Sequence, residues 1–326
     1  MSTASPVPET WHLTGDDARR TLTRTGRWRL ARDAFRRLRL SDGFSHARSM
    51  AFAAALVAVQ AVIAMVGLAS ALGKGRASNV IVHTIRSAAP GPAGRLLTQA
   101  VDQAHRAGAS HRYVALVVGL VGALLSGSTF MGQLERGLNR LYGIERDRST
   151  LRKYGLALVL ALSAGMLATV AFVAMAFGGS IGSSLGSPLA ARIWNWSRWP
   201  VALVVMAAAV ALLFRWSPRR RQPAWSWLAF GAAVSVALWG LVTLMLSLFF
   251  RTSTSFGETY GPLAGMVALL VWALLSSISL LYGGALGAQL EAVRARVPGP
   301  GDGVSPQLDR RHTKTEGEHM VMRSAG

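Results

Sequence analysis

The residues best suited to chemistry in this 326-residue chain are few and scattered. Seven histidines (12, 46, 83, 105, 111, 312 and 319) form no His-x-His pair and no His-Glu-x-x-His, whereas a metal site needs several such ligands converging. His105 and His111 lie near Asp102, where surface solvation accounts for them. The glycine-rich run 178–187 lacks the Gly-Lys-Ser/Thr ending of a phosphate-binding loop, which sets a nucleotide site aside. With no cysteine, disulfides, iron–sulfur clusters and thiolate chemistry are excluded. The expectation is no catalytic residue, no metal and no cofactor.

What remains is a short set of polar residues in or beside apolar runs. Glu135, Asn139 and Tyr142 share one helical face. They read either as a stripe that hydrogen-bonds a neighbouring loop or as a cytoplasmic gate. Glu258 and Glu291 bracket 32 positions without a charge. Each has an arginine close by, Arg251 for Glu258 and Arg294 for Glu291, so both are expected to anchor at an interface. Gln60 is the one amide well inside an apolar run, and a buried amide wants partners. The expected partner is a serine on a neighbouring helix, such as Ser126. Gly283 and Gly287 form a small-xxx-small pair, which lets helix backbones approach closely in lipid.

The elements that must position these residues are membrane helices. The chain is 51% hydrophobic and only 15% charged, and about 20 apolar residues span a bilayer core. Six runs qualify. The first is charge-free from Ser49 to Gly73, and the second runs from Tyr113 to Leu134, leading into a charged helical extension. Between them, 74–112 reads as a loop containing an amphipathic helix. The third begins near Tyr154. The fourth has 16 uncharged residues between Arg198 and Arg215, and snorkelling arginines with flanking tryptophans extend it. The fifth is charge-free from Gln222 to Phe250, and the last lies between the two glutamates. The fold class is therefore all-α, a polytopic bundle of six transmembrane helices over 49–291. Residues 1–17 and 292–326 read as disordered tails from their Pro, Ser, Thr, Gly and charge content. Residues 18–48 read as a basic amphipathic interfacial helix, with Trp28, Ala31, Phe35 and Leu38 as its apolar stripe. No cleavable signal peptide is evident at the N-terminus.

A net charge of +20 would suggest nucleic acid in a soluble domain. Here the basic residues fall between apolar runs, so the expected partners are the bilayer and its anionic headgroups, not nucleic acid. Of 35 Lys and Arg, 26 fall on the side holding both termini and 9 on the other. The positive-inside rule then places both termini in the cytoplasm.

Two blocks resemble the YihY/BrkB family of bacterial inner-membrane proteins, once labelled ribonuclease BN. One is the run Ser126–Tyr142, reading SGSTFMGQLERGLNRLY. The other joins Tyr260-Gly-Pro-Leu-Ala-Gly, Trp272 and Leu281-Tyr-Gly-Gly-Ala-Leu-Gly-Ala-Gln-Leu290. The family commonly carries Gly-Ala-Glu-Leu-Asn where this chain has Gly283 to Gly287, so Ala285 stands at its glutamate. Membrane-only bulk, no soluble catalytic domain, small-residue helix faces and a basic cytoplasmic side lead to the expectation of a non-enzymatic, transporter-like membrane protein of this type, handling an envelope solute or lipid. Its alternatives are a scaffold recruiting partners through the basic N-terminal helix, or a ribonuclease as in the older label.

Overall fold

Long runs of Ala, Val, Leu and Gly leave a backbone in lipid one local way to satisfy its hydrogen bonds, the helix. The computed structural model describes residues 4–71, 82, 84–85, 89–145, 148–184, 187–253 and 263–300, and there is no strand among them. In chain order the helices are α1 (Gly15–Thr25), α2 (Arg27–Leu40), α3 (Gly43–Ala71) and α4 (Gly91–Leu141). They continue as α5 (Thr150–Ser184), α6 (Pro188–Trp216), α7 (Trp225–Thr252) and α8 (Ala264–Arg294). Six segments, one in each of α3 to α8, are long and apolar enough to cross a membrane.

Several boundaries differ from expectation, each for a local reason. The single helix expected over 18–48 is broken twice. Gly26 turns at φ +86° between α1 and α2, and Asp42 adopts φ +53° between α2 and α3. The apolar stripe expected on α2 is also rotated. Leu30, Ala34, Arg37 and Leu38 are buried, while Trp28 and Phe35 face outward. The helix of the second span begins at Gly91, so it absorbs much of the loop expected over 74–112. The fourth span is 25 residues, Arg192–Trp216, and includes Arg198 within the helix.

The bounds of the two expected disordered tails differ where residues are described. Residues 4–14 are packed: Ala4, Val7, Thr10 and Leu13 are buried. Proline-rich composition removes donors but leaves carbonyls, and here buried arginines use them. At the other end α8 continues to Arg294 with Ala292 wholly buried, and Val297 N–H caps it on Ala292 O. Residues 301–326 lie outside the described residues.

Helix α8 packs against α2, α3, α4 and α7, while α5 packs against α4 and α6, and α6 against α7. Its closest approach is at Gly283, where a Cβ would overlap Ser235 Oγ and the Gly231 carbonyl of α7. Gly287 is roomier, with only Tyr142 Oη at 3.9 Å from such a Cβ. The second close crossing joins α3 to α4 through Gly67, Gly119 and Gly122, each of which would clash with the facing helix if it carried a Cβ. One core gathers Leu30, Leu138, Phe214, Trp227, Leu281 and Leu290 at the end where α8 finishes. A smaller one, with Val62, Val66, Leu97 and Leu269, joins α3, α4 and α8 towards the opposite end.

Candidate functional site

Helix α4 stops at Tyr142 because Gly143 takes φ +74°, a left-handed turn that closes the last carbonyls through Gly143 N–H to Arg140 O and Ile144 N–H to Asn139 O. A side chain at 143 would also strike Pro6. This turn brings Tyr142 against the end of α8, and Val7 N–H donates to Tyr142 O at 3.1 Å.

Glu291 of α8 sits at the centre, with no exposed surface. Tyr142 Oη donates to its Oε1 at 3.1 Å, and Thr10 Oγ1 donates to Oε2 at 2.6 Å. Arg220, from the α6–α7 connection, donates to Oε2 at 2.7 Å and is itself only 2% exposed. It also donates to the carbonyls of Val7 and Pro8, and its guanidinium lies 4.3 Å from the Tyr142 ring centroid. Burial, and next the Glu291 charge, hold the Tyr142 phenol well above its ordinary range, so it stays a donor.

Arg37 of α2 is equally buried. Its Nε donates to Gln289 Oε1 at 2.9 Å, and Nη1 donates to Leu141 O at 3.0 Å and Ser5 O at 3.2 Å. Burial pushes its pKa down to about 10, against the opposing influence of Tyr142 and Glu291. It therefore remains charged at neutral pH. Its Nη2 has no protein partner among the described residues, and neither do Asn139 Nδ2, Ser217 Oγ and Trp227 Nε1.

A second polar group adjoins the first. Asn139 Oδ1 accepts from Arg219 N–H at 2.8 Å. Glu135 is buried and lies 2.9 Å from Arg148 Nη1. Arg148 donates to the carbonyls of Ser217 at 2.7 Å and Pro218 at 3.0 Å, which ties the α4–α5 connection to the α6–α7 connection. Next to it Arg148, Ser149, Arg152 and Arg219 line a pocket of about 290 Å³.

Chemically, the Glu291 network is a lock. Both carboxylate oxygens are occupied by protein donors. Among the described residues no three of His, Asp and Glu are grouped to hold a metal ion.

Of the residues singled out in the sequence, Glu135, Asn139, Tyr142 and Glu291 come together at this end of the bundle. Glu291 does not pair with Arg294 at an interface; Arg294 pairs with Asp17 at 2.8 Å, and Glu291 turns inward to Arg220. Gln60 does not reach Ser126. Its amide lies against Gly122 at the α3–α4 crossing, where Oε1 has no protein partner among the described residues. Ser126 is half-buried on α4, and Glu258 lies outside the described residues. Gly283 sits in the α7–α8 crossing, and Gly287 beside Tyr142. Sequence reasoning missed Thr10, Arg37, Arg148, Arg220 and Gln289. For Arg37 a signal existed, since it shares the face of Leu30, Ala34 and Ser41 instead of the arginine face of α2.

The model of the virulence factor BrkB family matches residues 34–303. The ribonuclease-like protein YfkH of Bacillus subtilis is 27% identical over 56% of this chain and 68% of its own length. A UPF0761 membrane protein of Halorhodospira halophila is 25% identical over 56% of this chain and 40% of its own. Another UPF0761 membrane protein, from Idiomarina loihiensis, is 25% identical over 52% and 59% respectively. The chain thus spans between two fifths and about two thirds of these relatives. No solved structure matches the chain.

Proposed function

The chain belongs to the virulence factor BrkB family, as a multi-pass protein of the bacterial inner membrane, and from that premise we propose that it moves an envelope lipid or a similar amphiphilic solute. The observation that carries this reading is one-ended closure. Helices α4 to α8 form a circuit, α4 to α5 to α6 to α7 to α8 and back to α4. At the network end each of them has buried residues, such as Leu138, Leu160, Phe214, Trp227 and Leu281. Towards the other end, α5 has no buried residue among 161–170 and α6 none among the described side chains before Ala202. A circuit with a polar lock at one end and, among the described side chains, nothing buried on these lengths of α5 and α6 suits a path open to the lipid between those two helices.

In this reading the sealed end is cytoplasmic, because 26 of the 35 basic residues accompany it. The chain has no cysteine. A single cysteine at Ser187 is therefore expected to react with a membrane-impermeant thiol reagent on intact cells, and one at Glu145 only after permeabilisation. The opposite pattern reverses the orientation.

Transport itself is tested in vesicles holding the full chain and a dye-labelled phospholipid, with an impermeant reductant added outside. Protein-free vesicles keep the inner-leaflet dye. Loss of that protected half only in the protein-containing vesicles supports the proposal, and equal protection across phosphatidylglycerol, phosphatidylethanolamine and phosphatidylcholine overturns it.

The reading makes the chain no enzyme. RNA cleavage that copurifies with it, needs a divalent metal and disappears on a point substitution would refute that.

A further inference from the structure

Arg148, Ser149 and Arg152 enter the pocket of about 290 Å³ from the α4–α5 connection and the first turn of α5, and Arg219 enters from the α6–α7 connection. Arg148 is set in place beforehand by the Ser217 and Pro218 carbonyls and by Glu135. Arg219 is pinned at its backbone by Asn139. The rims of two different connections are thereby held at a fixed spacing. Glu135 offsets one of the three arginines, so the pocket keeps a positive balance. The Arg148 guanidinium is held in place, Arg152 and Arg219 line the same pocket, and guanidinium groups match the oxygens of a phosphate.

The surroundings say what kind of molecule carries that phosphate. From the pocket outward, α5 presents Leu151 (88% exposed), Tyr154 (56%) and then Leu158 and Val159. These open the lipid-facing length of a membrane-spanning segment, Leu151–Val170. A cationic pocket and an uninterrupted apolar face meet within one helical turn. That juxtaposition fits an amphiphile lying with its head in the pocket and its chains along the helix.

We propose that this pocket binds the phosphate of an anionic phospholipid headgroup, with the acyl chains along the exposed face of α5. The proposal deepens the lipid reading above by naming a headgroup class and its seat. It also stands apart from flux, because it concerns binding at equilibrium.

The test uses the full chain in non-ionic detergent, titrated with short-chain phosphatidylglycerol, short-chain phosphatidylcholine and inorganic phosphate, with bound lipid read by native mass spectrometry. Phosphatidylglycerol is expected to bind at least tenfold tighter than phosphatidylcholine. The Arg152→Gln/Arg219→Gln variant is expected to lose at least tenfold in affinity, and Arg221→Gln, outside the pocket, to lose nothing. Both replaced arginines are exposed, so the fold is retained. Should that variant fail to fold, Ser149→Glu at the pocket rim, which is also exposed, must weaken binding likewise. Binding of inorganic phosphate without phosphatidylglycerol would make this a free-anion site and overturn the lipid assignment. Equal binding by wild type and variants overturns the site altogether. Retained binding with no dye movement in vesicles would sink the transport reading alone, and movement with no binding would sink only this site.

Discussion

The two ends of α8 are built on different rules. From Leu281 to Ala292 almost every residue is buried, including Gln289 and Glu291, while the first turns bury only one face, with Ala264, Ala268 and Leu269 inside and Met266 and Val271 outside. The starting end relies on lipid to cover what protein does not, so apolar side chains suffice there. At the finishing end the connections, α1, α2 and the N-terminal segment crowd around the helix. Their backbone groups must be satisfied without water. Charged side chains meet that demand by donating to several carbonyls at once, as Arg37 and Arg220 do. The polar lock is a consequence of covering irregular chain, and it localises stability to one end.

Five substitutions break or sharpen this contrast. The largest effect is expected at the finishing end from Glu291→Gln. It leaves Arg220 buried without its counter-charge, which costs about 3–5 kcal/mol. The apparent unfolding temperature of the full chain in detergent reads it, and an unchanged value would show that the end is not locked by charge.

Next comes Gly283→Ala, which forces α7 and α8 apart at Gly231 and Ser235 and is expected to lose about 1–3 kcal/mol. Gly287→Ala, one turn on, is expected to stay within about 0.5 kcal/mol. Equal losses at the two glycines would mean that the tight crossing extends beyond Gly283.

A smaller effect belongs to Asp17 of α1. Its carboxylate accepts from Thr14 N–H at 3.2 Å and Thr14 Oγ1 at 3.1 Å and pairs with Arg294. The Thr14 backbone bond is the largest single cause holding its pKa below the usual aspartate value, with burial opposing and Arg294 adding to the fall. The stability it adds is therefore present above the ordinary aspartate pKa and lost as pH falls through the lowered one. Asp17→Asn is expected to cost less than about 1 kcal/mol at pH 7, read as a slightly lower unfolding temperature, and the gap to wild type should close in acid.

The smallest effect is expected on α5, beyond its sealed end. A Cβ at Gly165 meets no atom of the described residues within 4 Å, so Gly165→Ala should cost nothing. A loss above about 1 kcal/mol there would show that α5 is packed along its whole length.

The six spans were legible because a bilayer imposes length and apolarity on each segment separately, with no knowledge of its neighbours. Glu135, Asn139 and Tyr142 were legible as one face because they share a helix. The partners of Glu291 were not, since Thr10 and Arg220 lie 281 and 71 residues away and only tertiary packing selects them. Composition misled at residues 4–14. It measures how little apolar surface a segment can bury, whereas this segment is held largely by carbonyls that any sequence possesses. Gln60 misled in the other direction, because its amide is accommodated by the missing side chain of Gly122 and not by a hydroxyl.

The bond from Thr10 to Glu291 also sets an order of events during biosynthesis. Thr10 is made before α8 and waits for a carboxylate made 281 residues later. Until α8 is inserted, Arg37 and Arg220 have neither Gln289 nor Glu291 to receive them, and the N-terminal segment has no seat. A chain released before Glu291 leaves Arg37 and Arg220 with backbone carbonyls alone, as a mark of its incompleteness.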